Sequence, residues 1–186
     1  MVNILWTRRR VLGAALTGVA ALPLTRVAAA SGLATPVERW IELVNLHTSE
    51  VASVAFRGAT GYVTSALNRL HQVLRDHRTG EAHPIDPALF DQLSELAQAA
   101  GREPRFEIIS GYRSPESNEK MSARPGSGVA RKSLHMQGRA LDLRLKRCSC
   151  SDLRDLALAA KQGGVGYYRR SNFVHIDTGA FRTWAG

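Results

Sequence analysis

The chain has 186 residues and carries 25 Lys and Arg against 16 Asp and Glu, a formal net charge of +9. That length suits one domain with a leader and excludes a repeat array, for which no internal repeat is visible. Cys148 and Cys150, the only cysteines, are too few for a structural zinc cage and too close for an unstrained disulfide, so they read as a loop pair.

In chain order, the first feature is "TRRRVLG", Thr7 to Gly13, ahead of an apolar run from Val11 to Leu24. That run is too short and too weakly flanked to be a permanent membrane span. The spacing of Thr7, Arg8, Arg9, Val11 and Leu12 resembles the twin-arginine export signal, and Ala28 to Ala30 supply the small residues of a cleavage site. Residues 1–30 are therefore expected to be a signal removed near Ala30–Ser31, leaving 31–186 as a single domain in the periplasm. Arg26, just before the site, resembles the basic residues that discourage entry into the general secretion channel. The competing reading is a basic, alanine-rich helix at the start of a cytoplasmic protein.

Cleavage removes Arg8, Arg9, Arg10 and Arg26 and no acid, so the charge falls from +9 to +5. Outside the cytoplasm the available polyanions are wall carboxylates and phosphates. Arg124, Arg131, Lys132, Arg139, Arg144, Lys146 and Arg147 crowd one region, but without the interleaved aromatics of a nucleic-acid platform. The expected partners are the export machinery and a wall component, with no nucleic acid. A solvated basic face is the plainer reading of the cluster.

Past the leader, "RWIELVN" and "EVASVAF" alternate over strand lengths around the polar "LHTSE", which predicts a hairpin. Val63, Leu67, Leu70 and Leu74 predict one helical face within "GYVTSALNRLHQVLRDHR". Asp86 before Pro87 predicts a capped second helix to about Ala100. "RFEIIS" reads as a strand ending at Gly111, and "SPESNEKM" as a short helix capped by Ser114. "GRALDLRL" reads as a strand with Leu141, Leu143 and Leu145 on one face and Asp142 and Arg144 on the other. "SDLRDLALAAKQGG" predicts a helix ended by glycines, and "FVHID" a final strand. The order predicts an α+β fold, a small, mainly antiparallel sheet with flanking helices.

Strand alternation also sets Phe173, His175 and Asp177 on one side of the last strand. If the two strands are neighbours, His175 approaches Asp142, while His135 reaches in from the loop that Gly138 turns. Two imidazoles and one carboxylate make the ligand set of an open catalytic zinc site. Tyr167 and Tyr168, beside Gly163, Gly164 and Gly166, read either as a substrate wall or as a turn with packed aromatics. Trp184 reads as a lining residue or as an anchor of the tail.

Ser133, His135, Gly138, Ala140 and Asp142 match SxHxxGxAxD. This is the first metal motif of the zinc peptidases that include VanX-type dipeptidases, D-Ala-D-Ala carboxypeptidases and phage endolysin endopeptidases. With "NLHT", "IDPALFDQL", "SGYRS", "GGVGYY" and "SNFVHIDTG", the stretch from Arg39 to Trp184 resembles the murein endopeptidase K group of that superfamily. The resemblance implies a Hedgehog/DD-peptidase-like fold and one Zn²⁺ held by His135, Asp142 and His175. It also implies Arg113 beside the scissile carbonyl, where a guanidinium stabilises developing charge while zinc activates water. Tyr167, Tyr168 and Trp184 are the expected substrate contacts, together with Arg113.

The general base departs from the pattern. Many relatives carry glutamate where Asn172 stands, and others carry histidine where Phe173 stands. Asp177 is the nearest ionisable replacement, either as base or as the acceptor that orients His175. The implied activity is hydrolysis of peptidoglycan cross-links, with diaminopimelate bridges as the expected bond. A D-Ala-D-Ala carboxypeptidase and a non-catalytic, zinc-containing wall-binding module are the alternatives.

Overall fold

The computed structural model describes residues 38–186; the leader expected at 1–30 lies outside the described residues. Strands β1 (Arg39–Asn45) and β2 (Val51–Gly58) form the predicted antiparallel hairpin. Its turn is closed by the Asn45 side chain, whose Oδ1 accepts the N–H groups of His47 and Thr48 at 2.9 and 3.2 Å, the local bond that makes asparagine a turn residue.

A two-residue strand, β3 (Gly61–Tyr62), precedes α1 (Thr64–Val73), so the helix is shorter than the apolar spacing suggests. It stops because Asp76 offers the backbone a better local partner: its carboxylate accepts the N–H of Arg78 and of Ser114, both at 2.9 Å. Helix α2 (Pro87–Ala99) starts where Asp86 accepts the Ala88 N–H at 3.0 Å. Strand β4 (Arg105–Ser110) leads to α3 (Pro115–Ser122), capped by Ser114. A short 3-10 turn (Leu134–Gln137) then enters β5 (Ala140–Leu145).

Helix α4 (Cys150–Ala160) ends at Lys161, which takes the left-handed φ of 54° itself. The glycines predicted to end it serve another purpose, since a side chain at Gly163 or Gly164 would collide with Asp177. They open β6 (Gly164–Tyr168), a strand that the glycine-rich sequence disguises as a turn. Strand β7 (Phe173–Asp177) is not the last, because β8 (Arg182–Ala185) follows and pairs parallel with β6.

One sheet of order β3-β2-β1-β4-β5-β7-β6-β8 results. Only the β1–β4 and β6–β8 pairings are parallel, so the α+β, mainly antiparallel expectation holds, although eight strands exceed the small sheet expected. Helices α1, α2 and α4 pack on one face. There Ile41, Leu43, Phe106, Ile108, Leu141, Leu143, Val174 and Ile176 form the buried core. Alternation turns Asp142, Arg144 and His175 to the other face. No helix among the described residues is long and apolar enough to cross a membrane.

Candidate metal centre

Asp142 and His175 are direct cross-strand partners in the β5–β7 ladder. His175 Nδ1 lies 2.8 Å from Asp142 Oδ1, while His135 Nε2 lies 3.3 Å from that oxygen and 3.2 Å from His175 Nδ1. All three side chains are buried and present one donor atom each within a 4.8 Å cluster. His135 arrives from the 3-10 turn, whose exit is Gly138 at φ 64°. A Cβ there would strike the Pro84 carbonyl oxygen, so only glycine serves.

Each imidazole is held by its outer nitrogen. His135 Nδ1–H donates to the Gly111 carbonyl at 2.7 Å, and His175 Nε2–H donates to Asp177 Oδ2 at 3.0 Å. These bonds fix the tautomers and leave both inner nitrogens with lone pairs aimed into the cluster. Two inward lone pairs and a carboxylate oxygen fit a divalent ion with an open position, and zinc's preference for nitrogen and oxygen donors matches them.

Burial lowers the His135 pKa, against the opposing pull of Asp142. Burial acts in the same sense on His175, but its bonds to Asp142 and Asp177 outweigh it and raise that pKa. Asp142 loses solvent, which favours its neutral form; the two histidines more than offset this and hold it well below the usual carboxylate range.

Arg113, 5% exposed, sits beside the carboxylate with Nη2 3.7 Å from Asp142 Oδ2. Nη1 donates to Asn118 Oδ1 at 3.2 Å and Nη2 to Ser110 Oγ at 3.4 Å, leaving Nε–H without a partner. Neighbouring Ser114 is anchored by Asp76 through its N–H and its hydroxyl, at 2.9 and 2.8 Å. Asp76, Asn118 and Ser110 escaped the sequence reading because nothing periodic links them to residue 113.

A cavity of about 500 Å³ opens over the cluster. Tyr168 and Trp184 line it, joined by a hydrogen bond from Trp184 Nε1 to Tyr168 Oη at 3.0 Å. The Trp184 ring centroid lies 5.0 Å from that of His175, a closeness that Gly166 permits because a Cβ there would meet the indole. Tyr167 does not share this wall. Strand alternation turns it to the opposite face, where it packs against the core under the Arg154 guanidinium, 4.8 Å from the ring centroid.

Asp177 is fully buried. It accepts from the N–H groups of Gly164 and Gly179, from Nη1 and Nη2 of Arg182 and from His175 Nε2. Burial alone would raise its pKa, but these donors, His175 and Arg182 foremost, pull it well below the ordinary range. A carboxylate saturated in this way orients His175 and is poorly placed to collect a proton from the cavity. Arg182, its shortest contact at 2.6 Å, carries no sequence signal because five residues separate the two on different strands. Asn172, at φ 52°, belongs to the β6–β7 turn, where its carbonyl accepts from Arg144 Nε. Phe173 lines the cavity and stacks on Tyr168 with centroids 4.5 Å apart. Among the described residues, the cavity lining contains no glutamate and no histidine beyond the two in the cluster.

A three-donor cage open on one side, with a guanidinium over its carboxylate, has the architecture of a metallopeptidase. The family description that matches, over residues 33–184, is "Peptidoglycan L,D-endopeptidase MepK", a branch of the M15 peptidases. The chain belongs to this family. It is 43% identical over 173 residues to the "Peptidoglycan L,D-endopeptidase MepK" of Escherichia coli (strain K12), covering 93% of each chain. A "Probable peptidoglycan L,D-endopeptidase MepK" from Haemophilus influenzae is 38% identical over 176 residues, covering 94% of this chain and 92% of the relative. Family membership makes the chain a peptidase and sets aside the non-catalytic wall-binding module.

Proposed function

We propose that the protein is a zinc-dependent peptidoglycan endopeptidase, exported to the periplasm by the twin-arginine route, that cuts cross-links between two diaminopimelate residues. The observation that carries this reading is the His135–Asp142–His175 cluster on the floor of an open cavity beside Arg113. The names of the relatives support the choice of polymer and bond, and the Arg8–Arg9 pair ahead of an apolar run supports the route.

His135, Asp142 and His175 would hold the ion. Zinc bound there supplies electrophilic polarisation of a carbonyl and a water of lowered pKa. Arg113 lines the cavity and contributes a fixed positive charge, suited to a carbonyl oxygen that gains charge. Burial works against that charge and lowers the Arg113 pKa, an effect Asp142 partly reverses. Asp177 holds His175 in its ligating tautomer. Tyr168 and Trp184 form a wall against which a peptide strand can lie.

The test is digestion of purified cross-linked muropeptides by residues 31–186, resolved by mass spectrometry, beside His135→Ala and a chelated control. The expected result is conversion of dimers to monomers only with metal and intact His135, with fragment masses that assign the cut to the diaminopimelate bridge. Folded, zinc-loaded protein that leaves every dimer intact would defeat the reading.

A further inference from the structure

The sheet face that carries the metal centre continues into a second feature. Asp142 and Arg144 share that face of β5, and Lys146 extends the same alternation, its N–H still bonded to the Arg105 carbonyl at 2.9 Å. At about 3.3 Å per residue, Lys146 lies ~13 Å along the strand direction from Asp142. There a separate cavity of about 400 Å³ is lined by Arg102, Arg105, Lys146 and Arg147, with Glu103 the one acid.

The charges in this cavity are unequal. Arg105 is neutralised, with Nε 2.9 Å from Glu103 and Nη1 3.6 Å from Glu42. Arg102, Lys146 and Arg147 are exposed and form no ion pair among the described residues. Arg102 is nonetheless fixed, because its Nε donates to the Arg147 carbonyl at 3.0 Å and leaves the outer guanidinium nitrogens facing out. Arg147 holds φ at 62°, a left-handed conformation that is costly for a non-glycine residue. Glycine would remove that cost, yet the position carries a cation. Arg144, between Asp142 and Lys146 on this face, donates from Nη2 to the carbonyl of Ser171 at 3.3 Å, and Ser171 lines the cavity over the metal cluster.

We infer that Arg102, Lys146 and Arg147 form a carboxylate-binding subsite that grips the peptidoglycan polymer away from the bond being cut. The choice of polymer rests on the function proposed above; the charge accounting does not. Three free cations in one cavity suit the repeated carboxylates of stem peptides, and a second grip on the same polymer raises the effective concentration of cross-links at the metal end. The contribution is electrostatic and exposed, so it weakens with salt.

The test compares the full protein with the triple variant Arg102→Gln, Lys146→Gln, Arg147→Asn, asparagine being chosen because it tolerates the left-handed backbone. Lys146→Gln alone is the milder control. Binding is read by co-sedimentation with insoluble peptidoglycan, and turnover separately on a short cross-linked peptide stripped of glycan. The triple variant is expected to bind insoluble wall about tenfold more weakly at low salt, with Lys146→Gln intermediate and turnover of the short peptide within about twofold of the parent. Amidating the wall carboxylates is expected to reduce parent binding to the level of the variant. The inference is overturned if the variants sediment like the parent, if amidation changes nothing while inorganic phosphate competes, or if short-peptide turnover falls in parallel. A parent protein that binds wall through these residues but releases no new amine would defeat the endopeptidase reading and leave the subsite standing.

Discussion

Asp177 lies two residues after His175 on the same strand, and its Oδ2 accepts the His175 Nε2–H at 3.0 Å while four other hydrogen bonds occupy the carboxylate. A positioning role predicts that Asp177→Asn lowers metal affinity about 10–100-fold and that excess zinc recovers most of kcat. If Asp177 were the base, kcat would stay depressed at saturating metal. Chelator competition and kinetics at two zinc concentrations separate these outcomes.

The metal centre should be acid-labile, with the sign set by His175. A ligating imidazole must be neutral, and the bonds to Asp142 and Asp177 raise the His175 pKa above its ordinary 6.5 despite burial. Protons therefore compete from a higher pH than at an ordinary histidine. Zinc affinity, followed by competition with a chromophoric chelator, is expected to decline on acidification starting above pH 6.5. A flat affinity down to pH 5 would contradict this.

Arg113 is gripped by Asn118 and Ser110 and faces Asp142. Arg113→Lys keeps the charge but loses the planar fork, so kcat should fall about 100-fold with little change in KM. Asn118→Ala, which only loosens the guanidinium, should produce a smaller fall in kcat. A KM effect with unchanged kcat would instead make Arg113 a ground-state binding residue.

Asp76 joins the end of α1 to the start of α3. Burial raises its pKa, but the hydroxyls of Ser117 and Ser114 and the N–H groups of Arg78 and Ser114 outweigh that and lower it to about 2 from 3.8. A depressed folded-state pKa stabilises the fold above the unfolded value, and that contribution, about 2 kcal/mol, is lost as pH falls from about 4 through about 2. Denaturant unfolding at a series of pH values should show this slope, and Asp76→Asn should flatten it.

Export is checked by replacing Arg8 and Arg9 together with lysine. Processing near Ala30–Ser31 and recovery in the periplasmic fraction should then be lost, whereas a cytoplasmic protein would show no difference.

Legibility in the sequence tracked the range of the interactions. The hairpin, α2 with its Asp86 cap and β5 with its three inward leucines follow from local alternation and capping chemistry, and each appears where its residues put it. Period two also fixed which way Asp142 and His175 face; their adjacency required a strand register that only the folded sheet supplies. Long-range features stayed hidden. β6 was masked because Gly164 and Gly166 are selected by close approach to Asp177 and Trp184 rather than by turn geometry. Tyr167 and Tyr168 could not be separated until β6 was known to be a strand, which sends them to opposite faces.

Two bonds to backbone carbonyls act on neighbouring segments: His135 Nδ1–H donates to the Gly111 carbonyl, and Arg113 N–H to the His135 carbonyl at 3.2 Å. They lace the segment carrying the arginine to the segment carrying a ligand. Any coupling that this lacing carries between ion binding and engagement of a carbonyl by Arg113 is reciprocal. If a bound ion strengthens substrate binding through this lacing, a bound substrate raises the affinity for the ion by the same equilibrium factor.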